Sequence, residues 1–261
     1  MTTPILLTGG TGTLGRLLLP HLRAAGRPIR ILTRQRPNGA PGDVEYVAGD
    51  LATGAGVAAS VEGAATIVHC AGSAKGDEVK AANLLREAAR AGAKHVVYIS
   101  VVGADRVPVT SAMDRMAFGY FAAKRAAEVL VAESGIPWTT LRASQFHELT
   151  LATIRRLAKL PVVPVPAGAC FQPVDGAEVA ARFAELALGE PAGLVPDVAG
   201  PRAYGFDELV RSYLRAAGKR RPILPMPMGG GAYRAIRAGA NLAPDRAVGR
   251  RTWEDFLAEN I

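Results

Sequence analysis

The chain has 261 residues, 49% of them hydrophobic and 21% charged, which is enough apolar material for a buried core and excludes an intrinsically disordered chain. Its formal charge of +8 would attract an acidic partner, but 25 of the 31 basic residues are Arg and no run of five or six like charges occurs, so no nucleic-acid partner is expected. No stretch approaches the roughly 20 apolar residues of a membrane span, and MTTP leads into an apolar run without the marks of an export signal, so a soluble, cytoplasmic protein with no membrane partner is expected.

From residue 4 to about 142, short apolar runs alternate with Ala/Leu-rich segments of helical period. PILLT reads as a strand, TLGRLLLPHLRAAG as a helix, and PIRILTR and DVEYVAGD as two further strands. A weak, Gly-broken segment around Val57 precedes the strand ATIVHCAG and the helix DEVKAANLLREAARAGA. HVVYISV is the next strand, RMAFGYFAAKRAAEVLVAES a helix and PWTTLRA a strand. Gly26, Gly92 and Gly135 each follow a helix where a left-handed cap is wanted. Strands separated by helices imply right-handed crossovers and a doubly wound, parallel α/β sheet of Rossmann type. Later, helices over DGAEVAARFAELALG and FDELVRSYLRAAG are flanked by LPVVPVPAGACFQPV and RPILPMPMGGG, which read as loops or edge strands. Residues 1–150 are expected to form the dinucleotide-binding core, and residues 151–261 a small, irregular substrate-side lobe of the same domain.

TGGTGTLGR, residues 8–16, joins the first strand to the first helix. Gly9 permits a tight turn, Gly12 close approach of the main chain to a pyrophosphate, and Gly15 close packing of helix on strand. The helix N-terminus offers its N–H groups to the anion. In this strand–turn–helix setting the glycine triplet points to a dinucleotide. The second strand ends in Thr33, Arg34, Gln35 and Arg36, without the carboxylate that binds the ribose of NAD; Arg34, nearest the strand end, suits a 2′-phosphate. NADP(H) is therefore expected over NAD(H). Cys70 and Cys170 fit a reducing compartment, and the four histidines show no metal-ligand spacing, so no metal is expected.

With these residues the chain resembles the short-chain dehydrogenase/reductase superfamily. TGGTGTLG, containing Thr8, Gly9, Gly10, Gly12, Thr13, Leu14 and Gly15, has the TGxxGxxG form of its extended and atypical branches. The resemblance implies an adenine contact at Asp50 and Leu51, a cofactor-side turn at HCAG with Ala71 and Gly72, and the fifth strand at YISVVG. GIPWTTLRASQFHEL is similar to a segment of the NmrA-like atypical branch, where Gln145 and Phe146 would lie near the nicotinamide. That branch includes NADPH-dependent reductases and members that bind the dinucleotide as regulators.

YFAAK places Tyr120 four residues before Lys124, on one helix face, the spacing at which an ammonium favours a phenolate. Tyr120 would exchange a proton with a substrate oxygen, and Lys124 would reach the nicotinamide ribose if it acts as in the family. The family's active Ser or Thr falls here on Val102; Ser100 sits at the strand end, and Thr110 and Ser111 lie in the following loop. His147 is an alternative proton donor, and Arg234 with Arg237 an alternative membrane or partner contact. The expected function is an NADPH-dependent reductase of a hydrophobic carbonyl, quinone or activated double bond acting on a small molecule. A non-catalytic NADP(H) sensor with a regulatory protein partner is the alternative, and an epimerase with tightly held cofactor the third reading.

Overall fold

Val, Ile and Leu dominate the strand segments of the first half, and in the computed structural model the strands Ile5–Thr8 and His95–Val101 are buried along their whole length, as the centre of a parallel sheet covered by helices requires. The structure describes residues 3–36, 39, 42–72 and 76–261. The elements run β1 (Ile5–Thr8), α1 (Thr13–Ala24), β2 (Ile29–Thr33), β3 (Val44–Ala48), α2 (Val57–Val61), β4 (Thr66–His69), α3 (Asp77–Arg90), β5 (His95–Val101), α4 (Ala112–Ala132) and β6 (Trp138–Ala143). There follow α5 (His147–Leu157), β7 (Val163–Pro166), β8 (Cys170–Phe171), α6 (Gly176–Leu188), β9 (Gly193–Leu194), β10 (Tyr204–Gly205), α7 (Phe206–Ala216), β11 (Ile223–Met226), α8 (Gly231–Arg237) and α9 (Trp253–Asn260).

The chain divides into two compact units: residues up to 100 with 123–141 and 179–195, and residues 101–122, 142–178 and 196–261. The first carries the body of a seven-stranded sheet in the order β3-β2-β1-β4-β5-β6-β9. Parallel pairing sets Ile5 opposite both Ile29 and Thr66, so β1 lies between β2 and β4. Leu6, Ile67 and Val96 of the strands pack with Leu84 and Ala88 of α3 in one apolar cluster. The predicted doubly wound sheet is thus present, and Gly26, Gly92 and Gly135 take the positive φ expected past α1, α3 and α4. The segment around Val57 is the five-residue α2.

In the second unit α5, α7 and α9 share a core built from Leu151, Ile154, Leu209, Tyr213, Trp253 and Phe256. The two Pro-punctuated segments pair through β7 and β11 in parallel, Val163 opposite Ile223, while β8 and β10 pair antiparallel. A second cluster joins Val101, Phe121, Ala169, Tyr233 and Ile236. Helix α4 begins three residues earlier than the periodicity suggests because Ser111 and Asp114 cap it reciprocally: Asp114 N–H donates to Ser111 Oγ at 3.0 Å, and Ser111 N–H to Asp114 Oδ2 at 3.1 Å.

Candidate functional site

In the first unit the strand order reverses at β1, whose neighbours are β2 and β4, and a ligand crevice belongs at the carboxyl ends of such strands. The loop leaving β1 is shaped by contacts only glycine tolerates. Gly9 has φ +71°, and a Cβ there would lie 2.6 Å from Ala71 N, in the loop leaving β4. A Cβ on Gly15 would lie 2.2 Å from Gly9 O and 2.6 Å from Gly10 Cα, so its close packing is against the loop itself. Gly12 is exposed, and a Cβ on it would meet only Gly9 O at 3.2 Å. It is the N-cap of α1, with no side-chain cap and no acidic residue in the first turn, which leaves that turn's N–H groups to an anion. Thr13 is exposed there, whereas Leu14 is buried. Thr8 is fully buried, and its Oγ1 lies 2.7 Å from His69 Nδ1.

Behind this loop is a buried polar cluster. Lys124 is 3% exposed; its Nζ donates to Ile99 O at 3.2 Å, lies 3.2 Å from Asp77 Oδ2 and stands 5.0 Å from the Tyr98 ring centroid. Asp77, 1% exposed, also meets Lys80 Nζ at 3.6 Å. Gly72 roofs the pair, since a Cβ on it would be 3.1 Å from Lys124 Nζ and 3.3 Å from Asp77 Oδ2. His69 stacks on Tyr98 at 5.4 Å. Burial, reinforced by the Lys124 charge, pushes its pKa down to about 3, so the ring is neutral. Burial likewise pushes the Cys70 thiol up to about 12, which leaves it inert as a nucleophile. Asp77 was missing from the sequence-based site. Its visible signal was that of an acid in the first turn of α3, which reads as dipole compensation.

Arg34 is exposed at the end of β2 and has no ion-pair or ring partner among the described residues, whereas Arg36 lies over the Tyr46 ring at 5.4 Å. Asp50 uses Oδ1 to accept Ala52 N–H at 2.8 Å. Leu51 puts its side chain into the core cluster, so only its main chain faces outward chemistry, and its carbonyl accepts from Asn83 Nδ2 at 2.8 Å. The glycine loop, Ala71, Gly72 and Lys124 are brought together within this unit; Tyr120, Gln145 and Phe146 belong to the other.

In the second unit Tyr120 is half-buried, edge-on to Phe121 at 6.2 Å, and packs against the cluster around Tyr233. Val102 is fully buried with Ala199 and Ala243, so the position at which the resemblance implies a hydroxyl is an apolar core position. Ser111 spends its hydroxyl on the α4 cap and Thr110 is exposed. Gln145 is held by Val174 N–H donating to its carbonyl at 2.9 Å, while its side-chain Oε1 is buried with no hydrogen-bond partner among the described residues. Phe146 is the half-buried N-cap of α5. His147 is fully buried, stacks on Phe256 at 5.0 Å and places Nε2 3.1 Å from Arg251 O; burial lowers its pKa. Its packing and its hydrogen bond tie α5 to α9. Arg234 and Arg237 sit on α8, whose Ala232, Tyr233 and Ile236 are buried, with Arg237 5.9 Å from the Tyr233 ring.

A parallel sheet with a glycine loop at its switch point, opening an uncapped helix, defines a dinucleotide-binding protein of Rossmann type. Residues 9–160 match the NAD(P)H-binding family, and the chain belongs to that family. The (4-alkanoyl-5-oxo-2,5-dihydrofuran-3-yl)methyl phosphate reductase of Streptomyces griseus is 31% identical over 223 residues, 82% of this chain and 74% of that one. An uncharacterised Mycobacterium tuberculosis protein is 26% identical over 165 residues, 61% of this chain, a stretch spanning 17% of that protein's length. Among solved structures, the NADPH-dependent quinone oxidoreductase of Escherichia coli complexed with NADPH has a TM-score of 0.80 at 20% identity, covering 98% of this chain and 99% of that one. The Citrobacter triphenylmethane reductase complexed with NADP(H) has a TM-score of 0.77 at 19% identity, covering 99% and 100%. At these identities the likeness is one of fold.

Proposed function

We propose that the protein is an NADPH-dependent oxidoreductase of the NmrA-like branch, working in the cytoplasm on a small hydrophobic carbonyl, quinone or activated double bond. The observation that carries this reading is the buried Lys124 ammonium, fixed by Asp77 and Ile99 O beside the glycine loop of an NAD(P)H-binding chain. The reductase names of the Streptomyces and Citrobacter proteins support it. The main chain of Gly9, Gly10, Gly12, Thr13, Leu14 and Gly15 would hold the pyrophosphate, and Arg34 the 2′-phosphate. Asp50 and the Leu51 main chain would hold the adenine side, while Ala71, Gly72 and Lys124 would hold the nicotinamide ribose. The unsatisfied Gln145 Oε1, next to Phe146, suits a donor on the nicotinamide or substrate. Thr8 serves the site indirectly, by binding His69. Residues beyond 150 would form the substrate side.

A bound dinucleotide would supply a hydride to the substrate. Tyr120 gives a proton to the substrate oxygen, and the half-buried ring is anchored by its packing against Phe121. Val102 favours one second reading, a non-catalytic NADP(H) sensor, because an apolar core residue replaces the hydroxyl that would share the substrate oxygen. The discriminating experiment is NADPH oxidation by the purified protein across a carbonyl and quinone panel. Turnover that Tyr120→Phe lowers by about a hundredfold, with NADPH affinity kept, is expected. Tight NADPH binding without turnover on any compound would sink the reductase and leave the sensor.

A further inference from the structure

Residues 159–174 and 215–232 contain no carboxylate, and the fold of the second unit lays them side by side. Val163 N–H donates to Pro222 O at 2.9 Å, so Lys159–Val162 and Lys219–Pro222 enter the β7–β11 ribbon at the same end. The inner residues Val163 and Val165 are buried in the α5–α7 core. Leu224, paired with Pro164, and Met226, paired with Pro166, are 50% and 44% exposed. Leu160 and Val162 at the entrance are 44% and 39% exposed. Exposed aliphatic side chains are thus gathered on one small ribbon, where a soluble surface would normally scatter them.

At the entrance of the ribbon, Arg211, Arg215, Lys219, Arg220 and Arg221 line a cavity of about 630 Å³ without any carboxylate. Arg211 pairs with Asp207. Arg215 donates to Ser212 Oγ at 3.1 Å, Lys219 Nζ lies 3.5 Å from Tyr213 OH, and Arg221 donates to Arg220 O at 2.9 Å. None of these last four cations meets a carboxylate among the described residues. The dipole of α7 accounts for Arg215 in its last turn, but not for Lys219, Arg220 and Arg221 beyond it. Unopposed cations beside exposed aliphatics are complementary to a surface that is anionic outside and apolar beneath.

We infer that this face of the second unit docks on an anionic lipid bilayer, with Lys219, Arg220 and Arg221 at the headgroups and Leu224 and Met226 at the acyl boundary. It departs from the expectation of no membrane partner. Strand addition by a peptide or a second copy is disfavoured, because Pro222, Pro225 and Pro227 remove N–H donors along β11 and its ends. A single-stranded nucleic acid would find no exposed aromatic here on which to stack a base.

Co-sedimentation of the full chain with mixed phosphatidylglycerol–phosphatidylcholine vesicles, against pure phosphatidylcholine vesicles, tests the inference independently of any enzyme activity. Binding to the anionic vesicles alone, weakened by salt, is expected, as is a loss of about tenfold or more in Arg220→Glu/Arg221→Glu and in Leu224→Ser/Met226→Ser. All four side chains are exposed and none belongs to a core cluster, so wild-type melting is expected of both variants. Equal partition on the two vesicle types, or none, overturns the inference whatever the variants do. Displacement of vesicles by a short duplex oligonucleotide, with the aliphatic pair indifferent, overturns it in favour of nucleic acid.

Discussion

Lys124 and Asp77 are each almost wholly buried, with Nζ 3.2 Å from Oδ2. Removing one partner leaves an uncompensated charge in a low dielectric, whereas replacing both removes the problem. Asp77→Asn is therefore expected to cost roughly 3–5 kcal/mol, seen as a fall in Tm on the order of 10 °C, and Asp77→Asn combined with Lys124→Met is expected to recover most of it. A single variant that melts like the wild type would show that Asp77 does not fix the ammonium. The glycine loop was legible because its residues are neighbours in sequence and each glycine answers to a local contact. The Lys124–Asp77 pair was not, because α3 and α4 meet only after β4 and β5 are laid side by side, and an acid opening a helix has a sufficient local explanation.

At the level of elements, three buried histidines act as fasteners, His95 on β5 by setting its Nε2 2.8 Å from Thr139 Oγ1 on β6. His69 ties the end of β4 to Thr8 at the end of β1, and His147 ties α5 to α9. Burial lowers all three from the ordinary value of 6.5, that of His69 to about 3. The unfolded chain thus takes up protons that the folded chain refuses as pH falls below about 6.5, and stability present above that pH is lost below it. Each histidine contributes up to about 1.4 kcal/mol per pH unit while it stays neutral in the fold. The urea midpoint is expected to fall steadily from pH 7 towards pH 4, less steeply in His69→Gln; a flat midpoint over that range would contradict the assignment. The strands β1, β2, β4 and β5 were readable as continuous apolar runs. The two-residue β9 was not, since so short an edge strand has no period. The β7–β11 ribbon was readable only as loops or edge strands, because its pairing joins segments that are far apart in the chain.

For the whole molecule, the alternation of strands and helices implies a parallel sheet, and the strand order of that sheet sets the crevice in which a dinucleotide belongs. The charge of +8 is not evenly neutralised: Arg34 at the end of β2 is exposed and unpaired among the described residues, while many other arginines meet carboxylates. An exposed cation at the end of the second strand is what separates NADP(H) from NAD(H). Calorimetric titration of the protein with NADPH and with NADH, in wild type and Arg34→Ala, tests this most directly. The account predicts NADPH binding at least about tenfold tighter than NADH, with most of that preference lost in Arg34→Ala. Binding of neither dinucleotide, or a preference for NADH that Arg34→Ala leaves unchanged, would contradict it.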